Sequence, residues 1–434
     1  MIFEFVFAKL EDMKVSVMTL GCKVNKYESD SLIYQLEKNG FEATDKLECA
    51  DVFVINTCAV TGEAEKKSRQ MIARCKKFNP LAKIFVCGCA SQHNSKQFLE
   101  KEVEVVMGVS GKLKIIEFIK NLAKNIEKTE KNREFIEILP EIYQDDLFAK
   151  QTRTRCYVKI QDGCNNFCSY CIIPYLRGRS RSRDMQSIIN ECKSLGDDVK
   201  EIVLTGINVT DYKIDGQAGL LSLLVELDKL GKRLRLSSME ETLVSEDFVA
   251  GLSKLKNFCP HFHLSLQSGS NSVLKRMNRH YRAEEFKMSV DLIRKYFPLA
   301  GITTDVIVGF PDESDEEFEE TYKFIEEVKF SQLHIFKYSM REGTVASKIY
   351  KDLAPEIKQK RLEKLEKLGE ELKNQFLDMN NMLSVLIEEK EGEYYVGYSK
   401  NYIKCYFESK EDITNTILNC QIVEKFKDGV KIKK

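Results

Sequence analysis

The chain has no excess of charge of either sign. Its 67 lysines and arginines balance 67 aspartates and glutamates over 434 residues, so any basic surface for a nucleic acid must be local. It also has no apolar run of about 18 residues, the length that a membrane span needs, and we expect no membrane association. The opening MIFEFVFAKLED lacks a basic start and a small-residue cleavage site, which argues against a signal peptide. We therefore expect a cytoplasmic protein.

Cysteine, by contrast, is abundant, with 14 residues. A cytoplasmic protein with many cysteines more often uses them to bind metal than to form disulfides. Six of them form two constellations, one within a single loop and one spread over three strand ends. Cys87 is ambiguous, because it lies on a predicted strand two residues before Cys89, and we expect it to be a packed core residue. The others show no ligand spacing and are expected to be structural: Cys49, Cys75, Cys156, Cys192, Cys259, Cys405 and Cys420.

The first part of the chain alternates between apolar strands and helices. Runs rich in Val and Ile predict strands at KVSVMTL, DVFVINT, KIFVCG and VEVVMG, with helices at YESDSLIYQLEKNG and EAEKKSRQMIARCKKFN. This pattern indicates a small parallel α/β domain, which we assign to residues 13–125. Residues 1–12 are expected to be an upstream extension or a misassigned start. Residues 121–150 are charged and predict a helix end followed by a linker.

A second alternation begins near Cys156. Strands are predicted at YVKIQDG, EIVLTGI, RLRLSS, HFHLSLQ, TTDVIVGF and SQLHIFKYS. Six βα units indicate a partial, TIM-like (βα)6 barrel, which we assign to residues 150–370. A long amphipathic helix is predicted from Pro355 to about Asn380, and short strands with turn residues predict a small all-β module over 372–434.

The sharper cysteine constellation is Cys164, Cys168 and Cys171, which follows the first barrel strand. The carboxyl ends of the strands are where α/β barrels build their sites. Three thiolates at this spacing can ligate three irons of a 4Fe–4S cluster and leave the fourth iron open to a small molecule. Zinc is the alternative, but zinc usually takes four ligands in paired CxxC units, and no second pair lies nearby.

This CxxxCxxC motif, with the aromatic Tyr170 before its last cysteine, resembles that of the radical S-adenosylmethionine superfamily. The resemblance implies that the open iron binds the amino and carboxylate groups of S-adenosylmethionine. One electron then cleaves the cofactor to a 5′-deoxyadenosyl radical, and the protein supplies placement and exclusion of water. We expect flavodoxin or ferredoxin to donate the electron.

Residues at later strand ends are expected to line the same cofactor site with small or hydrogen-bonding groups. Turn formation is the alternative for the glycines among them, and solvated helix charge is the alternative for Arg276 and Arg279. TDVIVGFPDESDEEF resembles the fifth-strand segment of the superfamily, with Asp312 where relatives usually carry glycine. The candidates are Tyr170, Gly206, Ser238, Glu240, Gln267 and Arg276, with Asn208, Ser237, Ser268 and Gly269 beside them.

The second constellation is Cys22, Cys58 and Cys89, each of which lies where a predicted parallel strand ends. Neighbouring strands are about 4.8 Å apart, so ligands at adjacent carboxyl ends can converge on one object. Three thiolates would again leave one iron open. Buried structural cysteine is the alternative for each of them taken alone.

Both constellations together resemble the methylthiotransferases, from about Met13 to the C-terminus. GCKVN, NTCAVT and GCASQ resemble the three amino-terminal cluster segments of that family, and GYSKNYIKCYF resembles part of a TRAM domain, a small RNA-binding barrel. The resemblance implies two 4Fe–4S clusters and the insertion of sulfur at an unactivated C–H bond. The auxiliary cluster, held by Cys22, Cys58 and Cys89, would carry that sulfur.

Methylthiotransferases divide by target into those for adenosine-37 of tRNA carrying threonylcarbamoyl, for the same base carrying isopentenyl, and for an aspartate of a ribosomal protein. AVTGEAEKKSRQ and IIPYLRGRSRSR resemble the threonylcarbamoyladenosine branch. In the second motif, alternate arginines in an extended arm would point to one side and pair with the threonyl carboxylate. Generic phosphate contact is the alternative. These arginines are Arg177, Arg179, Arg181 and Arg183.

The TRAM-like module is expected to bind the tRNA anticodon loop. Tyr395, Tyr398 and Tyr402 are candidates for stacking on bases, with Tyr398 as the substrate-binding choice, and sheet core is the alternative. We expect the protein to be a monomer.

Overall fold

The computed structural model describes residues 13–124, 133–144, 148–149 and 153–434. The predicted extension at 1–12 and parts of the predicted linker lie outside these residues. Two compact units form: one from the described parts of 1–151 with 161–165 and 171–194, and one from the described parts of 152–160 with 166–170 and 195–434. We refer to them as unit 1 and unit 2. Over the described ranges, no helix is long and apolar enough to cross a membrane.

Unit 1 contains a six-stranded parallel sheet in the order β2-β1-β3-β4-β5-β6. Its strands are β1 (Lys14–Thr19), β2 (Glu42–Thr44), β3 (Val52–Thr57), β4 (Lys83–Gly88), β5 (Val105–Met107) and β6 (Arg133–Phe135). The four predicted strands are confirmed as β1, β3, β4 and β5. The edge strands β2 and β6 were missed, and β6 forms where the sequence predicts a linker, because three half-exposed residues leave no periodic pattern.

One helix of unit 1, Gly62–Phe78, begins at a side-chain cap. Thr61 accepts a hydrogen bond from the backbone N–H of Ala64 and caps the second helix. A two-residue strand pair, Gln161–Asp162 with Arg181–Ser182, also belongs to this unit. The helices are α1 (Lys23–Lys38), α2 (Gly62–Phe78), α3 (Cys89–His93), α4 (Lys96–Leu99), α5 (Lys114–Ala123), α6 (Ile173–Arg177) and α7 (Met185–Ser194).

Unit 2 contains the predicted partial barrel. Two three-stranded parallel sheets, β9-β8-β7 and β10-β11-β12, are linked through parallel bridges such as Met239 to Leu264. All six strands were predicted. They are β7 (Arg155–Lys159), β8 (Glu201–Thr205), β9 (Arg233–Leu236), β10 (His261–His263), β11 (Gly301–Val308) and β12 (Gln332–Lys337).

Helices follow the barrel strands, and two short 3-10 helices (Val209–Asp211 and Glu241–Leu243) lie at strand ends. A two-residue hairpin pairs Lys213–Ile214 with Gln217–Ala218. The helices are α8 (Leu220–Asp228), α9 (Glu246–Ser253), α10 (Asn271–Arg276), α11 (Ala283–Tyr296), α12 (Asp315–Val328), α13 (Val345–Ile349) and α14 (Pro355–Asp378). The last is the predicted long amphipathic helix.

The C-terminal residues form a closed five-stranded barrel in the order β13-β14-β15-β17-β16, which confirms the all-β module. Its core holds Val385, Cys405, Cys420 and Val430, all fully buried. The strands are β13 (Met382–Glu391), β14 (Tyr394–Ser399), β15 (Lys404–Glu408), β16 (Ile417–Phe426) and β17 (Gly429–Lys433).

A buried charge cluster attaches this module to the amino-terminal end of the (βα)6 barrel. Glu201, the first residue of β8, binds Arg235 at 2.7 and 3.1 Å and Arg155 at 2.9 Å. Arg155 also binds Glu388 of the module at 2.6 Å, while Arg235 donates to the carbonyl of Ser399. Burial alone raises the pKa of Glu201, but the guanidinium groups outweigh burial and lower the pKa to about 2.

Glu201→Gln should lower the free energy of unfolding by about 3–5 kcal/mol, because it leaves buried guanidinium charge without its carboxylate. The loss is measured as a fall of the urea midpoint. Glu226→Gln is the matched control, since Glu226 forms an exposed pair with Lys229, and it should cost less than about 1 kcal/mol. Equal midpoints for both variants would contradict the cluster's role in stability.

Candidate functional site

Cys22, Cys58 and Cys89 converge at one edge of the unit 1 sheet. Cys22 immediately precedes α1, Cys58 follows β3, and Cys89 begins α3 directly after β4. The strands β1, β3 and β4 are neighbours, so their carboxyl ends meet. The Cys58 thiol is close enough to interact electrostatically with both Cys22 and Cys89. The structure therefore brings together the three thiols that the sequence places at separate strand ends.

Burial keeps two of these thiols protonated when no metal is bound. It raises the pKa of the Cys58 thiol to about 12, and it raises the pKa of the Cys89 thiol against the opposing charge of Arg177. Iron binding at these sulfurs must therefore displace protons, as thiolate ligation generally does. Cys22 is exposed and forms the solvent side of the group.

The backbone around the thiols is shaped for close approach. Gly21 has φ +97°, and a Cβ on it would lie 2.5 Å from the Cys58 sulfur. Gly88 has φ +107°, and its Cβ would lie 2.6 Å from the Asn56 side-chain oxygen. Only glycine fits at both positions. The donor set of three thiols in a glycine-lined cradle fits an iron–sulfur cluster.

The described residues contain no group of three or more His, Cys, Asp or Glu side chains arranged to hold one metal ion. A four-iron cluster is several ångströms across, so its thiolates stand farther apart than the ligands of one ion.

Arg177 contacts one of these thiols, that of Cys89. It ends α6 and is fully buried, and its Nε donates to the Cys89 sulfur at 3.2 Å. Its Nη atoms donate to Glu28, Asp162 and Asn25 at 2.8–3.2 Å. The predicted extended arginine arm is wrong here, because a helix turns Arg177 inward to buried carboxylates.

Two further arginines of the predicted arm are also buried. Arg181 donates to the carbonyls of Arg177 and Arg179, and Arg183 binds Glu191 and Tyr27. These buried arginines pack within unit 1, and of the four arginines in the motif only Arg179 is exposed. The prediction that all four arginines face one side of an open arm is wrong for this physical reason.

The loop of Cys164, Cys168 and Cys171 is shared between the units: 166–170 belongs to unit 2 and its flanks to unit 1. In unit 1, the backbone N–H of Cys164 donates to the carbonyl of Gly178. In unit 2, Cys168 is buried and its sulfur accepts a hydrogen bond from Arg279 at 3.3 Å. Phe167 takes φ +47°, a left-handed conformation that non-glycine residues rarely adopt and that functional loops often hold.

Glu240 is the hydrogen-bonding centre of the predicted cofactor residues. It accepts from Asn166 at 2.7 Å and from Asn208 at 3.3 Å, and it pairs with Arg279 at 2.8 Å. These contacts join the cysteine loop, the end of β8 and the segment after α10. Arg279 contacts both groups and so links Glu240 to the Cys168 sulfur.

The other predicted cofactor residues lie at the same strand ends. Gly206 and Ser238 follow β8 and β9, and Gln267 follows β10 with φ +68°. Tyr170 packs against a core cluster that includes Phe310. Asp312, at the position where the resemblance implies glycine, takes φ +58°, a conformation that aspartate tolerates better than most residues.

Arg276 is directed elsewhere. Its guanidinium forms a two-fold ion pair with Glu317 at 2.8 and 2.6 Å. The hydrogen bonds from Arg276 lower the pKa of Glu317 to about 2. The arginine that contacts Cys168 is instead Arg279, three residues later.

The module tyrosines face inward. Tyr395 is a core residue of the all-β barrel, as the sheet-core alternative predicts. Tyr398 stacks on Tyr402 at 4.8 Å, and Arg155 lies over its ring at 5.0 Å. Tyr402 in turn stacks on His261 of β10 at 4.3 Å. The aromatic faces of this group are therefore used within unit 2.

Sequence reasoning missed the polar partners of Arg177. Asn25 and Glu28 lie three residues apart on one face of α1, shortly after Cys22, and Asp162 lies two residues before Cys164. Their signal was position: each stands within six residues of a predicted ligand. Buried carboxylates in such motifs could have been marked as partners for a buried cation.

Comparison with family models gives two matches. The Radical SAM superfamily matches residues 158–325, and the Uncharacterized protein family UPF0004 matches residues 14–110. The first match begins within β7 and contains the Cys164–Cys171 loop. The second contains Cys22, Cys58 and Cys89.

Curated relatives match nearly the whole chain. The threonylcarbamoyladenosine tRNA methylthiotransferase MtaB of Bacillus subtilis is 38% identical over 424 residues, covering 94% of both chains. The protein of the same description from Aquifex aeolicus is 39% identical over 87% of this chain and 93% of its own. A tRNA-2-methylthio-N(6)-dimethylallyladenosine synthase of Thermodesulfovibrio yellowstonii is 36% identical over 87% of this chain and 89% of its own.

A solved structure shares the fold. The radical S-adenosylmethionine methyltransferase TsrM from Kitasatospora setae, solved with cobalamin and a 4Fe–4S cluster, superposes with a TM-score of 0.55. It is 14% identical and covers 77% of each chain, so the likeness concerns the fold alone.

Proposed function

Because this chain belongs to the radical S-adenosylmethionine methylthiotransferase family, we propose that it methylthiolates carbon 2 of N6-threonylcarbamoyladenosine at position 37 of tRNA. It is a radical enzyme with a 4Fe–4S cluster and S-adenosylmethionine as cofactors. The observation that carries the substrate is the 38% identity over 94% of a protein described as a threonylcarbamoyladenosine tRNA methylthiotransferase.

A second cluster, held by Cys22, Cys58 and Cys89, is part of the proposal. Convergence of the three thiols at adjacent strand ends and the glycine cradle around them support it. The cofactors supply a radical that activates the substrate carbon and a sulfur that is transferred to it. The protein supplies ligands, burial and placement.

We assign the following roles to the residues predicted from the sequence. Cys164, Cys168 and Cys171 hold the cluster that cleaves S-adenosylmethionine. Tyr170, Gly206, Ser238, Glu240 and Gln267 line the cofactor, and Glu240 fixes Asn166 and Asn208 beside it through hydrogen bonds.

Arg276 would bind the cofactor carboxylate only after its ion pair with Glu317 is broken. Arg179, the exposed arginine of its motif, is the residue we assign to the threonyl carboxylate or a tRNA phosphate. Tyr398 would stack on a base only after leaving Tyr402. A flavodoxin or ferredoxin is the proposed electron donor.

Deleting the gene should abolish 2-methylthio-N6-threonylcarbamoyladenosine in total tRNA, with its unthiolated precursor accumulating in its place. Nucleoside mass spectrometry measures both, and a plasmid copy of the intact gene should restore the product. Persistence of the product would contradict the assigned substrate. Loss of the dimethylallyl analogue instead would move the chain to the branch of its Thermodesulfovibrio yellowstonii relative.

A further inference from the structure

The five N–H groups of Arg177 are all used, and one of them points to sulfur. Nε donates to the Cys89 sulfur at 3.2 Å. Nη1 contacts Glu28 at 2.9 Å and Asp162 at 3.2 Å, while Nη2 contacts Asn25 at 2.8 Å and Glu28 at 3.2 Å. Because each N–H of the planar guanidinium has an acceptor, the group is held in one orientation, and in that orientation its Nε–H is directed at the Cys89 sulfur.

Buried charges of both signs surround Arg177. Lys112, Arg177 and Arg181 supply three buried positive charges, and Glu28 and Asp162 supply two negative ones. Lys112 also donates to the side-chain oxygen of Asn56 at 3.2 Å. A deprotonated Cys89 therefore faces a network with one excess positive charge, and Arg177 is the cation in it whose N–H is directed at the sulfur.

Cys58 offers a contrast within the same site. Its thiol accepts a hydrogen bond from the backbone of Val60, a neutral donor. Cys22 lies at the exposed side. The three predicted ligands thus differ, and Cys89 is the one whose sulfur meets a cationic donor. A donor to a ligating sulfur stabilises the more negative, reduced form of an iron–sulfur cluster and raises its reduction potential.

We propose that Arg177 is a positioning residue of the auxiliary cluster, which orients Cys89 and raises the reduction potential of that cluster through its Nε–H···S hydrogen bond. This inference rests on the proposed function, because it requires a cluster at Cys22, Cys58 and Cys89. It reassigns Arg177 from the substrate to the cluster.

The test uses the full chain with Cys164, Cys168 and Cys171 replaced by alanine, so that only the auxiliary cluster remains. Arg177→Lys in this parent keeps the charge and loses the directed Nε–H. A reductive titration followed by electron paramagnetic resonance should show a lower midpoint potential for the auxiliary cluster. The expected fall is at least tenfold in the one-electron equilibrium constant, which corresponds to about 59 mV.

Arg183→Lys is the matched control. Arg183 is a buried arginine of the same segment whose guanidinium binds Glu191, Tyr27 and Ser187. Its replacement should change the one-electron equilibrium constant of the cluster by less than about twofold. An unchanged midpoint in Arg177→Lys, or an equal fall in both variants, overturns the inference.

A second measurement needs no substitution at Arg177. With 15N-arginine incorporated into the parent, hyperfine spectroscopy of the reduced cluster should show a coupled arginine nitrogen, and its absence overturns the inference even if Arg177→Lys does not fold. Iron and sulfide analysis separates the two levels of the proposal. A parent with about four irons has the cluster, so a failed Arg177 test then counts against the inference alone. A folded parent without iron overturns the proposed auxiliary cluster and the inference together.

Discussion

Replacing Cys168 with alanine should abolish reductive cleavage of S-adenosylmethionine, so that 5′-deoxyadenosine falls below detection. Three protein thiolates are the minimum that leaves a single open iron for the cofactor, and the loss of one removes an iron ligand. Cys168 is also the thiol that Arg279 contacts at 3.3 Å, so its loss frees a buried guanidinium beside Glu240. The measurement is 5′-deoxyadenosine by liquid chromatography after anaerobic reconstitution with dithionite.

Cys192→Ala provides the matched control for this variant. Cys192 is a fully buried thiol of α7 outside both constellations, and burial raises its pKa, as expected of a packed, unligated cysteine. Its replacement should leave cofactor cleavage unchanged. Undiminished cleavage by Cys168→Ala would contradict the assignment of the loop, whereas loss of cleavage in both variants would indicate a general folding defect.

The architecture was predictable because it repeats. Ten parallel strands carry apolar runs long enough to stand out from the helices between them, and the parallel order follows from the alternation. Strands such as Glu42–Thr44 and Arg133–Phe135 escaped because they are three residues long and pair on one side only, at the sheet edges. Their formation depends on a neighbouring strand and not on their own sequence.

The convergence of Cys22, Cys58 and Cys89 was predictable from topology, whereas the contacts of the arginines were not. A thiol after a parallel strand has its place determined by the sheet, so Cys22, Cys58 and Cys89 could be joined without knowing any side-chain contact. Arg177 depends on α6, a helix of five residues that no periodicity reveals, and on carboxylates far away in sequence. The arginines of the motif predicted an anionic substrate, but Arg177 pairs with two carboxylates of the protein, Glu28 and Asp162.

The module tyrosines illustrate the same limit. Tyr398 and Tyr402 carry aromatic faces that suit a base, and nothing local distinguishes a free ring from an occupied one. In the folded chain their partners are Arg155 and His261, which belong to barrel strands and are more than 130 residues away in sequence. The contact arises from docking of the module onto the amino-terminal end of the barrel, which is a tertiary property.

Replacing Cys58 with alanine should leave cofactor cleavage intact and stop methylthiolation of tRNA completely. Cys58 lies close enough to interact electrostatically with both Cys22 and Cys89, so its loss removes one of the three proposed ligands of the auxiliary cluster. The iron content of the reconstituted chain should fall from about eight to about four per chain. 5′-Deoxyadenosine and the thiolated nucleoside, quantified in one reaction, separate radical formation from sulfur transfer.

Cys87→Ala is the matched control for Cys58→Ala. Cys87 lies on β4, two residues before Cys89, and is fully buried in the hydrophobic core, where burial raises its thiol pKa to about 11. Because its side chain packs in the core below the sheet edge, its replacement should retain about eight irons and normal thiolation. Normal thiolation by Cys58→Ala would reduce the second thiol group to a structural feature, and sulfur would have to come from elsewhere. Loss of iron in Cys87→Ala, with Cys58→Ala unaffected, would instead make Cys87 of β4 a ligand in place of Cys58, which directly follows the neighbouring strand β3.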